Sequence, residues 1–351
     1  MKDVKALSSD KMDALRTLLD GAEKVAVVSH THPDGDALGS STAMLHYLTS
    51  RYAVEAKVVL PSPFAGFLDF LDCPDVLTAE NDMAGAELAI SSADLLICLD
   101  FNAFKRTDCL EPMLCASSAP KVLIDHHLNP DTGSFDLVFS ETEVSSASEL
   151  LYWILMGLEG SDDASVLPPA TALSLLTGMT TDTNNFANSV FPTTLTMASA
   201  LLASGVDRDA VLANLYNRYR ENRFRAMGHV LSELMHITPE GVAYVVLRKE
   251  DQQRFDLREG ETEGFVNLPL GIDRVRMSIL LKEDDGHFRV SVRSMKGVSA
   301  NRLASESFHG GGHVCAAGGK IFFPEDIPSP DAAVEYIENV TARFMRENAP
   351  E

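Results

Sequence analysis

The chain has 351 residues, 45% of them hydrophobic and 23% charged, the composition of an ordinary globular protein and a length that predicts two domains. No stretch approaches the roughly 18 consecutive apolar residues of a membrane helix, and charges interrupt residues 1–24, so neither a membrane span nor an export signal is expected. With 51 acidic against 29 basic residues the formal net charge is -22, which repels a long polyanion and restricts any phosphate-ester substrate to small or short ones.

Residues 25–29 (VAVVS) read as a buried strand that runs into His30-Thr31-His32-Pro33-Asp34-Gly35-Asp36, after which 39–50 has helical period. Residues 95–99 (LLICL) form a second strand ending at Asp100, and 121–124 (KVLI) a third ending at Asp125-His126-His127. Ser146 with Glu149 three residues later is a capping-box pattern opening a helix through Met156. Helices over 169–179 and 193–203 flank Thr180-Thr181-Asp182-Thr183, and 207–235 is long, polar and helical in period. Strands return at 242–247, 275–281 and 288–293, a Gly310-Gly311-Gly312-His313 turn follows, and 331–346 closes as a helix. The pattern predicts an α/β protein. A parallel sheet with helices on both faces occupies 1–206, a long connecting helix 207–238, and a smaller α/β domain with a mixed sheet 239–351.

The five cysteines (Cys73, Cys98, Cys109, Cys115, Cys315) are odd in number and contain no CxxC pair, which fits reduced thiols in the cytoplasm. Cys98 lies inside an apolar strand and reads as a buried small hydrophobe.

Ligands of an open parallel sheet bind outside the carboxyl ends of its strands, so the three polar clusters can meet in space. His30, Asp34 and Asp36 lie on a turn punctuated by Pro33 and Gly35, whose irregular backbone can aim several side chains at one point. Imidazole plus carboxylate suits Mn²⁺, Zn²⁺ or Fe²⁺ better than Ca²⁺. Together with Asp100, His126, His127 and Asp182 the supply exceeds the needs of one ion and suits two, roughly 3.5–4 Å apart, the arrangement used for in-line displacement at phosphorus. His32 and His46 are weaker candidates, the latter at helical spacing within a helix.

These residues closely resemble the DHH phosphoesterase superfamily, whose motifs look like residues 30–40 (HTHPDGDALGS), Asp100, Ile124 to His127, and Thr181-Asp182-Thr183. The resemblance implies that His30 and Asp34 hold one ion and Asp36, His126 and Asp182 the other, with Asp100 bridging. It also implies catalytic roles for Asp125, His127 and Asp100: His127 faces the substrate phosphate and Asp125 orients the histidines. Arg293-Ser294 with Gly310, Gly311, Gly312 and His313 resembles the type-one DHH-associated domain, where such residues bind substrate. Arg106 is a further candidate for the phosphate. Relatives often carry DTG where Asn184 follows Asp182-Thr183 here, and Asn tolerates the left-handed turn.

Short proteins of this shape resemble the nanoRNase and pAp phosphatase group. The implied function is Mn²⁺-dependent cleavage of 3′-5′ phosphodiester bonds in very short RNA and linear dinucleotides such as pApA, together with dephosphorylation of pAp, in the cytoplasm and within a homodimer. A cyclic-dinucleotide phosphodiesterase and a polyphosphate or pyrophosphate hydrolase are the alternatives among enzymes. A nucleotide-binding sensor with a degenerate metal site is the alternative outside them. Arg218, Arg220, Arg223 and Arg225 form the densest basic stretch, a guide for an oligonucleotide or simply a solvated helix face.

Overall fold

Alternate residues of the first strand serve two different cores, Val25 and Val27 one and Ala26 and Val28 the other, so the sheet is buried on both faces. The structure, a computed structural model, describes residues 7–71, 75–217 and 219–348; Cys73 and Arg218 lie outside the described residues. The chain divides into two compact units, Met1–Arg218 and Tyr219–Glu351.

The first unit runs α1 (Ser9–Gly21), β1 (Lys24–Val28), α2 (Gly35–Arg51), β2 (Glu55–Leu60), β3 (Val76–Thr78), α3 (Met83–Ser91), β4 (Leu95–Leu99) and α4 (Glu111–Ala116). It continues with β5 (Lys121–Asp125), β6 (Leu137–Ser140), α5 (Ala147–Glu159), α6 (Pro169–Asp182), α7 (Pro192–Ala203) and α8 (Arg208–Tyr216). Among the described residues its strands form one parallel sheet in the order β3-β2-β1-β4-β5-β6. Leu95, Ile97 and Leu99 of β4 pack with α1, α2, α5 and α6, while Leu96 and Cys98 pack with α3 and α4. The direction of winding reverses between β1 and β4, and a crevice at the carboxyl ends of two such strands is where this architecture places ligands.

Helices α2 and α6 cross at glycine. A Cβ on Gly39 would lie 2.8 Å from the Gly178 nitrogen and the Ser174 oxygen, so only hydrogen fits there. That close crossing sets the start of α2, which carries Asp36, beside the end of α6, which carries Asp182.

The second unit contains α9 (Glu221–His229), β7 (Met235–Ile237), β8 (Val242–Leu247), α10 (Lys249–Arg254), β9 (Met277–Asp284), β10 (His287–Ser294), α11 (Ala300–Ser307), β11 (Gly311–Gly312), β12 (Ala316–Phe322) and α12 (Ala333–Glu347). Its sheet has the order β11-β12-β10-β9-β8-β7, with β8 and β9 parallel and the other pairs antiparallel.

The structure revises three expectations in detail. The expected long helix over 207–238 is instead α8 and α9, separated by an extended Arg220 and followed by a single π-helical turn, Val230–Leu234, that leads into β7. Arg220 is drawn out by a two-pronged bond to Glu261, its Nε and Nη2 donating at 2.8 and 2.9 Å. The glycine turn at 310–312 is partly strand, and the capping box is half formed: the Ser146 hydroxyl accepts from Glu149 N, but the Glu149 carboxylate turns elsewhere.

Candidate active site

Each of the central strands ends in a polar side chain aimed at the same crevice. After β1, His30 is buried, and its Nδ1–H donates to the Thr31 carbonyl at 2.8 Å. That bond leaves Nε2 facing Asp100 Oδ2 at 3.5 Å; burial would lower the ring, but contact with this carboxylate raises it. Asp100, directly after β4, adopts a left-handed φ of 63°, which swings its carboxylate across the sheet end. Its other oxygen, Oδ1, lies 3.5 Å from His126 Nε2, so the two oxygens of one carboxylate face two imidazoles.

His126 follows β5 and gathers further acids. Its Nε2 lies 3.6 Å from Asp182 Oδ2 and 3.8 Å from Asp36 Oδ2. These spacings are a little wider than the about 3–3.5 Å at which donors with ligand bonds of about 2.1 Å stand around a common cation. Asp34 caps α2, its Oδ1 accepting from Asp36 N and Ala37 N at 2.9 and 3.0 Å. His30, Asp34 and Asp100 offer one set of donor atoms within 4.8 Å of one another, and Asp36, Asp100 and His126 offer a second. Asp100 belongs to both.

The electrostatics call for positive charge. Burial, and then the charges of Asp100 and Asp182, raise the Asp36 carboxyl well above the usual range. Burial works against ionisation of Asp100 too, but contact with His126 and His30 holds it well below. Burial would lower His126, yet Asp100, Asp182 and Asp36 together push it up to about 10. Asp100 Oδ1, fully buried, accepts no hydrogen bond. An orphaned buried acceptor among clustered acids is what a divalent cation satisfies, so the donor set fits metal ions.

His127 adjoins the same cluster, its Nδ1 3.7 Å from Asp100 Oδ1, and with Asp100 and Asp125 it offers a further set of donor atoms within 4.8 Å. Its Nδ1–H donates to Asp125 Oδ1 at 2.7 Å, and Asp125 is completely buried at the end of β5. Burial lowers the His127 ring, Asp125 opposes that shift, and the Arg106 charge adds to it. Arg106 lies within electrostatic reach of both His127 and His30, and its carbonyl accepts from Thr31 N at 2.9 Å.

In the second unit, Arg293 and Gly312 face successive residues of β12, Ala316 and Ala317, so both come to the same end of the sheet. A Cβ on Gly310 would fall 1.9 Å from the Gly318 carbonyl, and Gly312 has φ 141°, so these two positions require glycine. His313 N donates to Ala316 O at 2.7 Å, closing a tight turn. The buried Ser294 hydroxyl donates to Val298 O at 2.6 Å, which commits its proton to holding the following loop.

Residues 24–179 match the DHH family, N-terminal domain, and residues 239–339 match the DHHA1 domain. The bifunctional oligoribonuclease and PAP phosphatase NrnA of Thermus thermophilus is 30% identical over 88% of both chains. The chain belongs to the DHH family. NrnA of Bacillus subtilis is 27% identical to this DHH protein over 84% of its length and 88% of the relative's. A crystal structure of an exopolyphosphatase-related protein from Bacteroides fragilis superposes on it with a TM-score of 0.88, at 36% identity and 99% coverage of each chain.

Other features of this DHH protein correct or extend the sequence reading. Of the arginine stretch, the three described residues are engaged within the second unit: Arg220 with Glu261 and Asp256, Arg223 with the Tyr219 ring at 4.0 Å, and Arg225 with Glu221. Asn184 takes φ 46°, as expected of the residue after Asp182-Thr183. Cys98 is fully buried, and burial pushes its thiol up to about 12. Asp36 has an anchor that the sequence does not signal: its oxygens accept from Ala147 N and Ser148 N at 2.7 and 3.0 Å. No residue type encodes those amides; only the helix start signalled by Ser146 hints at them. Among the described residues no helix is long and apolar enough to cross a membrane.

Proposed function

We propose that this DHH protein hydrolyses the O3′–P bond of very short oligonucleotides and linear dinucleotides such as pApA, giving 5′-mononucleotides, and the same bond in pAp, giving AMP. The observation that carries the reading is the Asp100 carboxylate, which turns one oxygen to His30 Nε2 and the other to His126 Nε2, each at 3.5 Å. The names of the two NrnA relatives support the substrate class, and the charge of -22 supports its shortness.

His30, Asp34 and Asp100 would hold one ion, and Asp100, Asp36, His126 and Asp182 a second, with Mn²⁺ the ion that the family resemblance implies. When bound, such ions supply a hydroxide nucleophile at neutral pH and neutralise charge on the phosphoryl oxygens. The remaining work belongs to side chains. His127, tethered through Nδ1–H to Asp125, keeps a neutral ring whose Nε2 is left free to accept a hydrogen bond from the attacking water or a substrate hydroxyl. Arg106 adds a positive charge for the phosphate. Arg293 and the backbone of Gly310 to His313 would hold the terminal nucleotide's phosphate, with glycine permitting close approach. A cytoplasmic setting and a homodimer belong to the same reading.

Purified protein with Mn²⁺ is to be assayed on pApA, pAp, a 24-mer RNA, cyclic di-AMP and polyphosphate. The expected order is rapid turnover of pApA and pAp and slow turnover of the 24-mer. Polyphosphate cleavage without nucleotide cleavage would overturn the reading, and a preference for cyclic di-AMP would replace it with a cyclic-dinucleotide phosphodiesterase. His126→Ala abolishes hydrolysis if the donor set is right; a wild-type rate would show it to be wrong.

A further inference from the structure

Glu149 has no part in the chemistry just described, yet its side chain is completely buried in the first turn of α5. One oxygen, Oε2, accepts three hydrogen bonds: from Ser145 N at 2.8 Å, Ser145 Oγ at 2.6 Å and Thr194 Oγ1 at 2.6 Å. The other, Oε1, has no partner. A buried carboxylate with half its acceptor capacity unused is a costly way to fasten two helices, since an apolar pair would pack them at least as well. Its connections suggest a different purpose.

On one side Glu149 fixes Ser145 and thereby the start of α5. The first amides of that helix, Ala147 N and Ser148 N, hold both oxygens of Asp36. On the other side it fixes Thr194, whose hydroxyl also accepts from Phe191 N at 3.0 Å. Phe191 ends the segment that begins just after Asp182, so Glu149 pins the far end of the loop following that ligand. Asp36 and Asp182 are the two acids, besides Asp100, that converge on His126 Nε2.

We infer that Glu149, with Thr194, is a positioning residue that sets Asp36 and Asp182 relative to one another and so determines the affinity of the ion they share with His126. The inference rests on the functional reading above. It separates the two ions, because neither His30 nor Asp34 hangs from α5 or α7.

The test is Mn²⁺ titration of the full-length, ion-free protein by calorimetry, alongside its thermal midpoint without metal. Thr194→Val removes the hydroxyl at nearly constant volume. It is expected to weaken one of the two ions about 10- to 100-fold, the range of outer-sphere partners of metal ligands, while the other ion stays within twofold. Thr194→Ser restores the first ion's affinity, and Glu149→Gln, which keeps the volume, reproduces the selective loss. The KM for pApA at saturating Mn²⁺ stays unchanged. Wild-type affinity for both ions in Thr194→Val overturns the inference, as does equal weakening of both, which is the mark of general loosening. Wild-type protein that takes up no Mn²⁺ removes the functional reading as well, so the two failures are distinguishable.

Discussion

Asp125 touches no proposed ion, and its value lies in fixing the tautomer and direction of His127. Asp125→Asn keeps the shape but weakens that hold, and is expected to lower kcat about 10- to 100-fold with little change in KM, as steady-state kinetics on pApA would show. His126 makes a pH-dependent prediction. Without an ion its ring is pushed up to about 10, so at neutral pH it is protonated and must lose that proton to become a ligand. Raising the pH from 6.5 towards 9 therefore strengthens Mn²⁺ binding, about tenfold per unit where this is the only proton released. Calorimetry in buffers of different ionisation enthalpy counts that proton. For the ion-free protein the sign is opposite: the raised His126 stabilises the fold fully below 6.5, and this is lost as pH rises through 10. The candidate ligands His30, Asp100 and His126 stand out in the sequence because their clusters each follow an apolar strand. Glu149 does not, because its partner Thr194 lies 45 positions away and no local pattern joins them.

The strands that bear the site were readable for the same reason that the site works: β1, β4 and β5 are buried on both faces and so appear as unbroken apolar runs. The strand β2 carries no clear sequence signal because Glu55 and Lys57 interrupt its pattern, and β6 carries none because it spans only Leu137–Ser140. The break between α8 and α9 was hidden too, since it depends on Glu261, an acid far along the chain that captures Arg220. Helix crossing gives a sharper test. Gly39→Ala forces a methyl against the backbone of α6 and is expected to cost about 1–3 kcal/mol, seen as a lower urea midpoint with an unchanged m-value.

Each unit carries its own core, and the second responds to acid through Glu259. Partial desolvation works against this half-exposed carboxylate, but paired bonds from Arg289 at 2.7 and 2.9 Å, with Lys282 nearby, hold it down to about 2. Its folded pKa is depressed, so its stabilisation is complete above about 4.5 and fades as pH falls towards 2. Urea unfolding followed by circular dichroism should show wild type losing its margin over Glu259→Gln across that window. The first unit holds a different kind of dependence. Its donors are dispersed from His30, after a central strand, to Asp182, at the end of α6. A ribosome delivers them in that order, and no partial product possesses the full set. A chain interrupted before Asp182 therefore lacks the last of the proposed donors and is expected to hold no complete pair of ions.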